Sequence, residues 1–220
     1  MSASETFHPP VNIPREPELA ELVISDPPEA WSGLGFDVDA QGNLDIGGVR
    51  VRIAADDHVD GARGITAWSL IRVNAMGSID GLPTPVPRVL RPPPFKTHPN
   101  GATGIDHLVI RSDSLERTAA ALARAGVELA RTEQTEHGPR AFRRIGPAVL
   151  EVVQRDDLGR DVTRFWGLAV VVISLDELAR RLGDRLGPIE PAVQPGRRIA
   201  TLNARGGISV PLAFMSPEPP

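Results

Sequence analysis

Between residues 104 and 216 the order of apolar and polar positions is written twice. The stretch "IDHLVIRSDSLERTAAALARAGVEL" (105–129) and the stretch "WGLAVVVISLDELARRLGDRLGPIE" (166–190) each open on an apolar, strand-like run. Each then passes into residues whose apolar positions recur at helical spacing: Leu115, Ala119 and Leu122 in the first, Leu175, Leu178, Ala179, Leu182 and Leu186 in the second. A capping residue with a glutamate three places on predicts each helix start, Asp113 with Glu116 and Ser174 with Glu177, and Gly126 and Gly187 predict the ends. Three strand-like runs follow each helix. They are "VELARTEQ", "RAFRRIG" and "AVLEVVQ" after the first, and "IEPAVQPG", "RRIATLNARGG" and "ISVPLAFM" after the second. Each unit therefore predicts β-α-β-β-β, an α+β plan in which neither unit can bury both faces of its sheet alone.

Aligned without a gap, 107–129 and 167–189 share Leu108/Leu168, Ser114/Ser174, Leu115/Leu175, Ala119/Ala179 and Leu122/Leu182. At the head of the alignment His107 faces Gly167. A fainter copy precedes both: "ELVIS" (21–25) matches "HLVIR" (107–111), and "IGGVRVRI" (46–53) matches "IGPAVLEV" (145–152), with "DPPEAWSGLGF" in the place of the helix.

Prolines mark the boundaries. Seven of the twenty-one residues in 81–101 are proline, which predicts a stiff, extended connector and no helix interior or central strand. The expected organisation is an N-terminal arm (1–17), a partial module (18–75), a proline-rich linker (76–103), a central module (104–156) and a C-terminal module (163–216).

Composition narrows the function classes. The chain has 220 residues, enough for a sizeable core, and no cysteine, which removes disulfides, thiol nucleophiles and thiolate metal sites and fits a cytoplasmic setting. The net charge of −4, the absence of a basic stripe and an aromatic content of 4% argue against nucleic acid as a partner. The longest apolar run, "WGLAVVVI", is too short for a membrane span, and the first residues carry no secretion-signal pattern. Arginine-for-lysine and alanine-rich usage fits a bacterial, GC-rich source. Phosphate-loop, dinucleotide, nucleophile-elbow and H-E-x-x-H motifs are absent from the sequence.

The paired plan, with "DH" followed by apolar residues in the opening strand and "LEVV" in the closing one, resembles the vicinal oxygen chelate superfamily. Glyoxalase I, bleomycin-resistance proteins, methylmalonyl-CoA epimerase and extradiol dioxygenases belong to that superfamily. The resemblance implies repeated β-α-β-β-β modules whose paired sheets enclose a cavity, with a partial N-terminal module beside them. It also implies a small-molecule ligand and leaves a homodimer open. In the superfamily's metal enzymes each module supplies one ligand from its first strand and one from its last. The matching residues here are His107 and Glu151, which would be the catalytic and metal-binding pair.

Strand alternation puts His107 on one face with Ile105 and Val109, and Glu151 on one face with Val149 and Val153. The second module offers only Gly167, and Pro211 or Leu212, at the corresponding places. Three arrangements follow. His107 and Glu151 form a metal-free hydrogen-bonded couple; or they hold one divalent ion, Fe, Mn, Ni or Zn; or Glu21 of the faint copy joins them as a third ligand, with Arg52 binding an anionic substrate. Arg143, within the Arg140/Arg143/Arg144 cluster, is a further ligand-binding candidate, and Arg197 and Arg198 sit on the repeat partner of that strand. Two functions stay open: a glyoxalase-like lyase, isomerase or dioxygenase acting on a small carbonyl or acid compound, or a metal-free ligand-sequestering protein of the bleomycin-resistance type.

Overall fold

The computed structural model describes residues 16–54, 63–75, 77–88, 94–136 and 138–219. Apart from Glu16 and Pro17, the expected N-terminal arm lies outside these residues, as do His8, His58 and His137. From the N-terminus, β1 (Glu18–Ser25) leads to a short helix α1 (Pro28–Gly33), a hairpin of β2 (Asn43–Ile46) and β3 (Val49–Ile53), the strand β4 (Gly64–Ile71) and a second hairpin of β5 (Gly77–Ile79) and β6 (Leu82–Thr84). The central unit follows as β7 (Ala102–Ser112), α2 (Leu115–Arg124), β8 (Arg131–Thr135), β9 (Gly138–Ile145) and β10 (Ala148–Gln154). The last unit is β11 (Thr163–Val172), α3 (Leu175–Leu182), β12 (Glu190–Pro191), β13 (Arg198–Thr201) and β14 (Leu212–Met215). The fold is α+β, built from repeated β-α-β-β-β modules.

The two full modules do not keep separate sheets. They join edge to edge through their first strands into one eight-stranded sheet, in the order β12-β13-β14-β11-β7-β10-β9-β8. Within each module the last strand runs parallel to the first, with Leu150 beside Leu108 and Leu212 beside Leu168. The joint is antiparallel and symmetric: Leu108 faces Leu168, Ala169 faces His107 and Gly167 faces Val109. The sixty-residue offset of the sequence repeat is thus a pseudo-twofold between β7 and β11.

One face of the sheet carries Leu108, Ile110, Leu150, Val152, Leu168, Val170, Val172 and Phe214, all buried, and packs against Leu122 of α2 and Leu175, Leu178 and Leu182 of α3. The other face curves into an open cup. The N-terminal residues form a four-stranded sheet, β2-β3-β1-β4, stacked against the packed face of the large one. Trp68 meets Phe165 edge-on at 5.6 Å and Phe36 stacks on Phe214 at 6.3 Å. The approach is close enough to require glycine: at Gly47 (φ +58°) an added Cβ would lie 2.6 Å from Gly104 Cα.

The faint copy is a module short of one strand. β3 runs parallel to β1 with Glu21 beside Arg50, the counterpart of His107 beside Val149. β4 adds something the sequence reading did not contain, because it pairs antiparallel with β1 about Leu22 and Trp68 as β11 pairs with β7 about Leu108 and Leu168. Residues 18–75 therefore contain two first strands, and "GITAWSLI" (64–71) answers "GIDHLVIR" (104–111). Each of the four first strands carries one extra residue two positions before its central one: Ala20, Thr66, Asp106 and Trp166. Such bulges bend a strand and redirect side chains.

Three local expectations are corrected. The proline-rich stretch is not wholly a connector: Leu82–Thr84 is a strand, with Pro83 exposed on the two-stranded hairpin, where a missing N–H costs nothing in a ladder. Residues 89–93 lie outside the described ones. The cap of α2 is Ser114, whose hydroxyl accepts from Arg117 N, while Asp113 accepts from the backbone N–H groups of Asp161 and Val162. α3 starts at Ser174 as expected but ends at Gly183 (φ +59°), four residues before Gly187.

Candidate functional site

The cup is a cavity of about 960 Å³ on the concave face, within the size range of small-molecule sites. Ile105, His107 and Val109 of β7 and Val149 and Glu151 of β10 line it, as their alternation predicts. The two halves of the lining differ in chemistry. The β11–β14 half is mostly apolar, with Ala169, Val171, Val193, Ile199, Ala213 and Met215, and the β7–β10 half holds ionisable groups around Phe142.

The bulge at Asp106 decides the partner of His107. With one extra residue in the strand, Asp106 and His107 both reach the cup, and Asp106 Oδ2 lies 2.5 Å from His107 Nδ1. Asp106 Oδ1 also accepts from Arg197 Nη1 at 2.7 Å. Burial works to raise the Asp106 pKa, but the hydrogen bonds and charges of His107 and Arg197 outweigh it and hold the carboxyl below its ordinary value. An ionised carboxylate can only accept, so Nδ1 carries a proton in this contact and Nε2 is the ring nitrogen left facing other partners. Arg197 is 5% exposed; its Nε donates to the Ser216 carbonyl, and its Nη2 is buried without a hydrogen-bond partner.

Glu151 is committed elsewhere. Its Oε1 accepts from Arg140 Nη1 at 3.3 Å, and Arg140 in turn pairs with Glu133 at 2.8 Å and sits over the Phe142 ring. Arg131 also pairs with Glu133. The expected His107–Glu151 couple is therefore replaced by two separate chains, Asp106–His107 with Arg197, and Glu151–Arg140–Glu133. Asp106 lacked a sequence signal because strict alternation points it away from the cup; only the bulge reverses that.

The remaining expected site residues are not brought into the cup. Glu21 lies on β1 of the small sheet, on the face opposite Leu22 and Trp68, so it points away from the large sheet; it is buried beside Arg52 at 3.5 Å. Glu21 and Arg52 thus make neither a third ligand nor an anion contact near His107. Arg143 is on the packed face of β9, alternating with the cup-lining Phe142 and Arg144, and it pairs with Glu16 at 3.7 Å. Arg198 pairs with Asp176 of α3.

The donor set does not fit a divalent metal. Symmetry makes Gly167 the counterpart of His107, and the β14 register makes Ala213, rather than Pro211 or Leu212, the counterpart of Glu151. At the paired module positions that leaves two side-chain donors where three or four are normal, and the cup's further carboxylates Asp106 and Glu133 are held by Arg197 and by Arg131 and Arg140. Arg140 already neutralises the Glu151 carboxylate and would repel a cation. Among the described residues no group of three or more His, Asp or Glu side chains converges. Gly167 has its own reason: a Cβ there would overlap the Pro211 carbonyl oxygen and lie 3.1 Å from Pro211 Cβ, so β14 occupies the space a side chain would need.

The fold and the cup define an α+β protein of paired β-α-β-β-β modules, with a solvent-open cavity on one continuous sheet. Among solved structures, methylmalonyl-CoA epimerase from Mycobacterium tuberculosis is similar at 21% identity and a TM-score of 0.45, over 54% of this chain and 91% of that one. A methylmalonyl-CoA epimerase of Streptomyces coelicolor, solved with 2-nitronate-propionyl-CoA, is similar at 21% identity and a TM-score of 0.44, over 53% and 96%. A hypothetical protein of Bacillus halodurans is similar at 17% identity and a TM-score of 0.43, over 53% and 95%. No family model and no curated protein matches the sequence. Likenesses at this level leave the chemistry to be argued from the chain's own residues. No helix among the described residues is long and apolar enough to cross a membrane.

Proposed function

We propose that this chain is a metal-independent binding protein for a small organic molecule, seated in the cup between the apolar β11–β14 wall and the polar β7–β10 wall. The observation that carries this reading is Arg197: buried in the cavity lining, fixed by Asp106 and Ser216, with Nη2 left as an unpaired donor. A buried donor without a partner costs about 1–3 kcal/mol, which a carbonyl or carboxyl oxygen of a ligand recovers once it displaces the side chains that cover Nη2. Of the two functions open from sequence, the donor set favours the sequestering one.

A second reading has its own observation. Asp106 orients His107 as a carboxylate orients the imidazole of a general base, so a bound compound with an acidic C–H could lose a proton to Nε2 in an isomerase- or lyase-type step. One experiment addresses both readings: thermal-shift screening of small carbonyl compounds, aromatic compounds and acids in the presence of chelator, repeated on Arg197→Ala. Hits that survive chelator and vanish in Arg197→Ala support the binding reading; hits that require added Mn²⁺, Ni²⁺ or Zn²⁺ overturn it. Deuterium uptake by a hit in D₂O, abolished in His107→Ala, would move the function to catalysis.

A further inference from the structure

Beyond the polar chains inside the cup, one end of the concave face concentrates positive charge. Arg111 follows Val109 by two positions on β7 and so shares its face. Arg164 of β11 stands directly opposite Arg111 in the antiparallel register. On the other side of Arg111, β10 brings Val153 alongside, and Arg155 follows two residues later. The Arg111 guanidinium lies 3.1 Å from the centre of the Trp166 ring, the bulge residue that also lines the cup. Arg164 is exposed.

Like charges placed directly across a strand pair repel, and a folded chain keeps such an arrangement at a cost to its stability. The cost registers at Arg111: burial first, then the charge of Arg155 and of Arg164, lower its pKa, while Asp157 works in the opposite direction. Stacking on Trp166 holds the Arg111 plane in a fixed orientation, which suits two-point hydrogen bonding to a planar or tetrahedral oxyanion.

We infer that Arg111 and Arg164, with Trp166 as their platform and Arg155 adding charge, form a seat for the anionic group of the cup's ligand, a carboxylate or a phosphate. The inference rests on the reading of the cup as a ligand site and adds the class of ligand. Asp106, which holds Arg197, and Arg111 are five residues apart on β7, roughly 16 Å at a strand rise of about 3.3 Å per residue. The ligand is therefore elongated, with an oxygen acceptor at the Arg197 end, an apolar body over the floor and its acidic group at the Trp166 end.

Two fluorescent probes of one skeleton separate the seat from the cup: neutral N-phenyl-1-naphthylamine and its sulfonate, 8-anilino-1-naphthalenesulfonate. The wild type is expected to bind both at one site per chain, the sulfonate about tenfold more tightly. Arg164→Gln, an exposed position, should weaken the sulfonate about tenfold and leave the neutral dye unchanged. Inorganic phosphate or benzoate should displace the sulfonate at concentrations where sodium chloride of equal ionic strength does not, and the stronger of the two identifies the oxyanion. Equal affinity for both dyes, no response to Arg164→Gln, or equal displacement by chloride overturns the seat while leaving the cup standing. Failure of both dyes to bind at a single site removes the cup reading, and this inference with it.

Discussion

Replacing Gly167 with alanine tests whether this position is a lost ligand or a required gap. An added Cβ would overlap the Pro211 carbonyl oxygen and stand 3.1 Å and 3.2 Å from Pro211 Cβ and its carbonyl carbon. The clash is with backbone, so no side chain can swing aside, and β14 must move. Overpacking of this kind costs about 1–3 kcal/mol. The same carbonyl accepts from Leu168 N at 3.0 Å, and displacing it forfeits up to about 1 kcal/mol more. The expected loss is about 2–4 kcal/mol, equivalent to a Tm lower by about 5–12 °C for a chain of this length. Urea and thermal unfolding of Gly167→Ala, beside Gly104→Ala as control, measure it; an added Cβ at Gly104 meets nothing within 4 Å. A Gly167→Ala protein within about 0.5 kcal/mol of the parent would refute the close-approach argument and return Gly167 to being a vacated ligand position.

Asp80, in the turn between β5 and β6, accepts from Arg117 Nε at 3.0 Å, Thr118 Oγ1 at 2.5 Å and Thr163 Oγ1 at 2.6 Å, tying the hairpin to α2 and β11. Asp80→Asn should cost about 2–3 kcal/mol by urea denaturation; an unchanged midpoint would show the tie is ornamental. Burial pushes the Asp80 pKa up, but these three donors prevail and hold it below its ordinary 3.8. Its stabilisation is therefore complete above the unfolded value and is lost as pH falls through the folded one. His98 behaves oppositely in charge but alike in direction. It is buried, accepts from Asp37 N on Nδ1 and contacts the Asp45 carbonyl through Nε2, and burial lowers its pKa from 6.5. The unfolded chain binds the proton more readily, so stability should fall as pH drops below about 6.5; a urea midpoint independent of pH from 7.5 down to about 5 would contradict this, and His98→Gln should flatten the slope. Because Asp106, Glu133 and Glu151 are each held by an arginine, protein purified without chelator should carry no stoichiometric Fe, Mn, Ni or Zn by elemental analysis. Metal at one per chain, lost in both His107→Ala and Glu151→Ala, would reverse that conclusion.

Much of the architecture was legible because it is periodic. The Leu108/Leu168 offset, the helical spacing from Leu115 and Leu175, and the alternation that puts His107 and Glu151 on one face all rest on regular geometry. Departures from regularity were not legible. Asp106 and Trp166 belong on the packed face by alternation, and an inserted bulge leaves no mark in either residue type. The counterpart of Glu151 was sought at Pro211 or Leu212, whereas the second module runs two residues longer than the gapless offset and presents Ala213. β4 went unread because Trp68 stands where its relatives have leucine and no helix follows it. Glu21 and Arg52 illustrate a third limit: their register with β3 follows the central module, but which face of the small sheet meets the large one is decided by Trp68 and Phe36, far along the chain.

The four bulges bear on protein engineering. The same backbone kink is held by a methyl at Ala20, a hydroxyl at Thr66, a carboxylate at Asp106 and an indole at Trp166, so its shape comes from the pairing of first strands and not from the residue seated in it. In the large sheet two of these sockets open into the cup. Positions 106 and 166 can therefore be randomised together as a paired library, grafting new contacts onto both sides of the pseudo-twofold while the leucine-rich layer beneath them is left untouched.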